Sequence, residues 1–257
     1  MRSPDDVARL VRARSPLAPD QTERILREFF VPSRAVRFVC QAYHADRLSV
    51  LDIGCGYGQH LVQFGPGSAG VDAIERNVAF CDALGMEVEL ANVEDGLPDF
   101  GRPFEAVFCS NLLEHLVAPH LFLLRLRAQL GERGRLFIHV PTMPPLPIVD
   151  WAIRRAIGHN GYRASEHINA FTPRTLAFTL ERAGFVVEDS VFVAARAQPV
   201  LRWAEPLFRE LGISVLAVAR PDPAFGYPEK RVAAFAPGFV SRVGGGGGAQ
   251  DSSASRA

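Results

Sequence analysis

The fold is decided by the stretch VLDIGCGYGQH, Val50 to His60. Leu48, Val50, Leu51 and Ile53 are apolar and largely β-prone, as in a strand buried on both faces of a parallel sheet. Gly54, Gly56 and Gly58 then remove side chains where the backbone must turn sharply or be approached closely. A strand, a glycine loop and a helix start make a cradle for a nucleotide, because the first N–H groups of a helix have no partner within it. A tight strand-to-helix turn with no ligand shows the same local pattern, so the rest of the chain has to decide between them.

Around this stretch, strand and helix patterns alternate. Strands are expected at 48–53, 69–73, 86–91, 104–110 and 135–140, with helices from 58, at 75–84 and at 118–130. Such alternation implies right-handed crossovers and an α/β fold, a doubly wound, mostly parallel sheet with helices on both faces. Residues 1–47 read as an N-terminal helical cover, with Asp20 or Thr22 as a cap before ERILREFF and Ser33 before RAVRFVCQAYHA. The main domain is expected over 48–240, with a proline-rich lid insert at 142–170 that carries a short amphipathic helix near IVDWAIRRAIG. After it, Thr172 caps and Pro173 starts a helix ending at Gly184. Strands at 185–193 and 213–219 follow, separated by a helix carrying Trp203 and Phe208. The segment 241–257, SRVGGGGGAQDSSASRA, has little to bury and is expected to be disordered.

Composition narrows the function. Twenty-eight basic and twenty-eight acidic residues balance, which gives no general electrostatic grip on nucleic acid. Cys40, Cys55, Cys81 and Cys109 are widely spaced, with no Cys-x-x-Cys pair and no histidine cluster at ligand spacing, so no metal site is expected. The N-terminus lacks the apolar core of a signal peptide and no stretch is long enough to span a bilayer, so a cytoplasmic location is expected.

In an open parallel sheet, ligands bind outside the carboxyl ends of the strands where the strand order reverses. Asp72 stands twenty residues beyond Asp52, at the end of the second strand, where a carboxylate can accept the hydroxyl hydrogens of a ribose. The alternative for Asp72 is a helix N-cap. A dinucleotide-binding dehydrogenase would need a third glycine where Gln59 stands.

The blocks VLDIGCGYG, GVD, NVEDGLP, FEAVFCSNLLEHL, GRLFIHVP and HINAFTPRTLAFTLERAGF resemble, in order and spacing, the class I S-adenosylmethionine-dependent methyltransferases. The likeness is to their small-molecule branch, which includes quinone-biosynthesis enzymes. It implies a seven-stranded Rossmann-like sheet whose last strand is antiparallel, and S-adenosyl-L-methionine as cofactor. Asp52, Gly54, Gly56 and Gly58 then correspond to the loop beside the methionine part, and Asp72 to the ribose acid. Asn92 and Val93 correspond to the adenine region, with Ala73 or Ile74 lining the ring. The family commonly has aspartate at Asn92, whose carbonyl keeps a neutral acceptor for the adenine amino group. Ser110 and Asn111 match the end of the fourth strand beside the cofactor sulfur.

For a small-molecule acceptor that must lose a proton, His115 and His167 are the expected catalytic residues, with His60 and His159 as further candidates. His139 lies inside a strand pattern and reads as structural. The insert, with Trp151 and Tyr162 beside Arg154, Arg155 and Arg163, suits an amphipathic or anionic acceptor or peripheral membrane contact. An ordinary lid helix with a solvated basic face accounts for it equally. A cofactor-binding protein without transferase activity also stays open, as do the acceptor and the oligomeric state.

Overall fold

The computed structural model describes residues 2–143, 166–193 and 214–226, and positions 147, 148, 150, 151 and 155 between the first two segments. Contacts divide the chain after Pro223, and the architecture below belongs to the unit Met1–Pro223. The inner part of the expected insert, the helix with Trp203 and Phe208, and the segment 241–257 lie outside the described residues.

Seven strands form one sheet: β1 (Val50–Ile53), β2 (Ala69–Asp72), β3 (Glu87–Leu90), β4 (Phe104–Ser110), β5 (Leu130–Pro141), β6 (Phe185–Val191) and β7 (Ser214–Pro221). Their order is β3-β2-β1-β4-β5-β7-β6. β1 pairs in parallel with both β2 and β4, so the order reverses at β1. β7 is antiparallel to both β5 and β6. Every residue of β1 and β2 is buried, Asp52 and Asp72 included, as in strands covered on both faces by helices.

The helices are α1 (Pro4–Arg14), α2 (Pro19–Phe29), α3 (Arg34–Tyr43), α4 (Glu75–Ala83), α5 (Pro119–Leu126) and α6 (Pro173–Arg182). Val7 and Val11 of α1 meet Ile25 and Leu26 of α2 and Phe80 and Leu84 around α4 in one apolar cluster. Val36, Val39 and Cys40 of α3 join a second cluster with Val50, Phe108 and Phe137 of the sheet. Ser33 caps α3 by accepting from Val36 N. Thr172 and Thr175 form a reciprocal capping box at α6, whose first residue is Pro173.

Four expected boundaries differ. Neither Asp20 nor Thr22 caps α2, because Pro19 already occupies its first turn, where a missing N–H costs nothing; the Thr22 hydroxyl instead meets Ser15 at 2.7 Å. The helix expected from 58 is only a 3₁₀ turn, Leu61–Gln63, since Gly65, Pro66 and Gly67 leave too few residues for propagation. α5 ends at Leu126, followed by a 3₁₀ turn over Arg127–Gln129, and β5 begins five residues earlier than expected, at Leu130.

Candidate functional site

The three loop glycines all adopt left-handed backbone, at φ +73° for Gly54, +56° for Gly56 and +74° for Gly58. The loop is tied to the second strand: Gly54 and Cys55 N–H both donate to Val71 O, at 2.8 and 3.1 Å. Gly56 N–H donates to Asp72 Oδ2 at 2.8 Å. Asp72 Oδ1 accepts from Ile74 N–H at 2.9 Å and from Asn77 Nδ2 at 3.0 Å. Asp72 is therefore both the organiser of the α4 start and the anchor of the glycine loop. With two donors on Oδ1 and one on Oδ2, the remaining acceptor capacity lies on Oδ2. That leaves one strong position for a ribose hydroxyl, where the sequence suggested two. Asn77, which fills the other, was not singled out from sequence, although its place five residues after Asp72 puts it in the first turns of α4.

Asp52, at the end of β1, is 1% exposed, and its Oδ2 has no hydrogen-bond partner in the protein. Burial, with the neighbouring Asp72 charge as a smaller cause, pushes its carboxyl up to about 8. An orphaned buried acceptor beneath a glycine loop fits a cationic or hydroxyl donor of a ligand. The folded state holds a proton that the unfolded chain releases at ordinary carboxylate pKa, so this stability is present at low pH and lost as pH rises through about 8. In thermal melts of the ligand-free protein, Asp52→Asn is expected to gain stability relative to wild type as pH rises from about 4 to about 8 and to hold that gain at higher pH, because its amide never charges. A difference that does not change with pH would contradict the protonated carboxyl.

The adenine candidates flank this centre. Ala91 N–H donates to Asp72 O at 3.0 Å, which brings the β3 end against the β2 end. Asn92 is exposed and its Oδ1 already accepts from Glu94 N–H at 3.1 Å, leaving one lone pair for a ligand. Val93 is buried, Ala73 is exposed, and Ile74 stands 53% exposed beside Asp72. At the β4 end, Ser110 Oγ lies 3.1 Å from His139 Nδ1, and Asn111 takes φ +52°. Leu112 packs 3.7 Å from the position a Gly54 Cβ would occupy, which sets the following turn beside the glycine loop.

That turn, Leu113–His115, carries the buried Glu114 and half-buried His115. Its backbone holds the returning end of the insert: Ile168 and Asn169 N–H both donate to Glu114 O at 2.9 Å, and Asn169 Nδ2 donates to Leu116 O at 2.6 Å. His115 and His167, 52 positions apart, stand with ring centroids 4.6 Å apart, edge to face. His115 Nδ1 is 3.1 Å from Glu166 O. Met143 N–H donates to Phe171 O at 2.7 Å, so the two ends of the insert meet at the carboxyl edge of the sheet. Burial pushes the Glu114 carboxyl up to about 7. His60 and His139 are each pushed down to about 4 by burial, which keeps both rings neutral near pH 7. His60 packs edge-on against Phe108, and His139 faces Ser110 Oγ. His159 lies outside the described residues.

A sheet reversing at β1, a glycine loop after β1 and a carboxylate closing β2 define the class of fold used by S-adenosylmethionine-dependent methyltransferases. One such enzyme from Clostridium acetobutylicum aligns with a TM-score of 0.53 at 11% identity, covering 79% of this chain and 97% of that one. A family profile described as "Methyltransferase domain" matches residues 12–190, well over half of the sequence, and the chain belongs to that family. Among curated proteins, ubiquinone biosynthesis O-methyltransferase of Maricaulis maris is 33% identical over 102 residues, covering 36% of this chain and 40% of that protein. The mitochondrial protein of the same name from Arabidopsis thaliana is 35% identical over 87 residues, covering 30% of this chain and 27% of that one. The chain thus spans less than half the length of these relatives. The [4+2]-cyclase SpnF shares the fold as well, with a TM-score of 0.52 at 16% identity, covering 74% of this chain and 81% of that one. Fold alone therefore does not select the reaction. Among the described residues, no helix is long and apolar enough to cross a membrane.

Proposed function

We propose that the chain binds S-adenosylmethionine at the carboxyl edge of the sheet and transfers its methyl group to an oxygen, nitrogen or carbon nucleophile of a small-molecule, lipid-like or sugar acceptor. The observation that carries this is the 2.8 Å bond from Gly56 N–H to Asp72 Oδ2, which makes the glycine loop and the ribose acid one rigid unit. Asp72 holds the ribose through Oδ2, Asp52 and the loop from Gly54 to Gly58 accept the methionine end, and Asn92, Val93, Ala73 and Ile74 border the adenine. Ser110 lies beside the sulfur. When bound, the cofactor supplies a methyl group already activated by a positive sulfonium.

The work left to the protein is to align a nucleophile, exclude water and take its proton. His115 and His167 are the groups for the last task. The matched relatives are named as O-methyltransferases, so a hydroxyl is the acceptor to test first. A dehydrogenase is disfavoured because the Gln59 carboxamide stands 3.1 Å from where a Gly56 Cβ would lie, against the loop a pyrophosphate would have to approach. Incubating the full chain with labelled S-adenosylmethionine and fractionated cell extract tests the activity. Label should move to a small-molecule fraction, whereas tight cofactor binding with no transfer in any fraction would favour a binding protein.

The insert should form the acceptor side of the site. Replacing 144–164 with a short glycine and serine linker is expected to abolish transfer while leaving cofactor affinity within a few fold. Cofactor contacts come from earlier strand ends, and the insert's two ends are held by Thr142, Met143 and Phe171. Retained transfer to the native acceptor in the linker variant would put the acceptor elsewhere.

A further inference from the structure

Sulfur lines the inner side of the glycine loop. Cys55, inside the loop, and Cys81, on α4, are free thiols and both 0% exposed. Each donates its S–H to the same carbonyl, Gly56 O, at 3.8 and 3.5 Å, and the two thiols also hydrogen-bond to each other. Met86 completes the group, since a Cβ added at Gly58 would lie 2.5 Å from Met86 Sδ and 3.2 Å from Cys81 Sγ. A Cβ added at Gly70 would lie 2.8 Å from Cys55 Sγ. Glycine at 58 and 70 thus makes room for sulfur. Gly58, read from the sequence as part of the cofactor loop, turns its missing side chain to this inner side.

We infer that Cys55, Cys81 and Met86 form a binding site for a soft, thiophilic cation, Cu⁺ being the ion that the donor set selects. Two thiolates and a thioether are soft ligands, which suit Cu⁺ where carboxylate, carbonyl and water suit magnesium, calcium or manganese. The frame is fixed on both sides: Gly54 and Cys55 N–H donate to Val71 O, and Met86 N–H donates to Cys81 O at 3.0 Å. An ion has a way in, because half-buried Met86 lines a cavity of about 650 Å³ together with Leu61, Val62, Phe64 and Leu84. Loading breaks two S–H bonds and forms two Cu–S bonds. Both protons pass to solvent, the thioether lends a lone pair, and copper keeps its oxidation state. Only a bound cation makes this deprotonation favourable, since the hydrogen bond with Cys81, and then burial, hold the Cys55 thiol well above the usual thiol range. Sequence spacing conceals the pair, because Cys55 and Cys81 meet only once α4 packs against the glycine loop.

The site stands on this geometry alone; its consequence for the cofactor rests on the methyl-transfer reading above. Loading takes both S–H donors away from Gly56 O and ties the loop to α4, so the loop that is to receive the methionine end is reshaped. S-adenosylhomocysteine should then bind at least about fivefold more weakly to the copper-loaded chain.

The test uses the full chain, reduced and handled without oxygen, and titrated with Cu⁺ held by the chromophoric chelator bicinchoninate. One equivalent should pass from the chelator to the protein, with a thiolate-to-copper absorption band in the ultraviolet. Cys55→Ser and Cys81→Ser should each weaken binding by more than about a hundredfold, beyond the loss of an outer-shell partner. Met86→Leu, which removes the weaker thioether donor, should cost about tenfold, and Cys40→Ser should leave binding unchanged. If Cys55→Ser does not fold, Cys81→Ser and Met86→Leu carry the test. No transfer of copper to the wild type, or wild-type affinity in Cys81→Ser, overturns the site. Calorimetry with S-adenosylhomocysteine on copper-free and copper-loaded chain separates the two readings: a failed cofactor reading appears as no binding to the copper-free chain, and equal affinity for both forms overturns the coupling.

Discussion

Asp72→Ala is expected to weaken S-adenosylmethionine binding by roughly thirtyfold to several hundredfold, the equivalent of about 2–4 kcal/mol for losing charged hydrogen bonds. The loss has two sources. The ribose forfeits its acceptor, and Gly56 N–H, Ile74 N–H and Asn77 Nδ2 are left facing a void. The glycine loop then loses its tie to β2, so the ligand meets a less ordered cradle. Asp72→Asn should not rescue binding: its amide has one acceptor oxygen, so whichever way it turns, an NH₂ group faces either Gly56 N–H or the donors of Ile74 and Asn77. Calorimetric titration with S-adenosylmethionine and with its demethylated product measures both variants. Affinity within twofold of wild type for Asp72→Ala would remove Asp72 from the site.

Gly56→Val is expected to lower cofactor affinity by about fivefold to a hundredfold, reflecting roughly 1–3 kcal/mol of strain for a β-branched residue held in left-handed backbone. At φ +56° the new Cβ also meets Gln59 Oε1 at 3.1 Å. Relief requires the peptide to rotate, and rotation turns Gly56 N–H away from Asp72 Oδ2. The same titration checks this, and circular dichroism verifies that the sheet persists. A variant that keeps the wild-type fold and affinity would show that the loop's left-handed conformation is not needed for binding.

How much of this was legible in the sequence follows from the range of the interactions. All seven strands were visible because each is a short apolar or alternating run bounded by turn residues, and Ser33, Thr172 and Pro173 announced their helices by local capping chemistry. Helix boundaries failed where two local signals competed, as at Pro19 against Asp20 and Thr22. The region after Gly58 failed because apolar Leu61, Val62 and Phe64 suggested a helix that Gly65 and Pro66 cut short. In the candidate site, the glycine loop and Asp72 were readable from their spacing. Their mutual bond, the occupation of Asp72 Oδ1 by Asn77, and the burial of Asp52 were not, since these depend on how neighbouring strands register. Glu114 shows the limit most sharply: it lay in a recognisable block, yet its orphaned oxygens and its meeting with His167 arise only once the insert's end folds back onto the β4 turn.

The cradle at the carboxyl edge of the sheet is proposed to hold S-adenosylmethionine. The most direct measurement is calorimetric titration of the purified full chain with S-adenosylhomocysteine and, separately, with NADH. Saturable binding of S-adenosylhomocysteine with one site per chain, sharply weakened in Asp72→Ala, and no binding of NADH is the predicted result. Saturable NADH binding without binding of S-adenosylhomocysteine would contradict it.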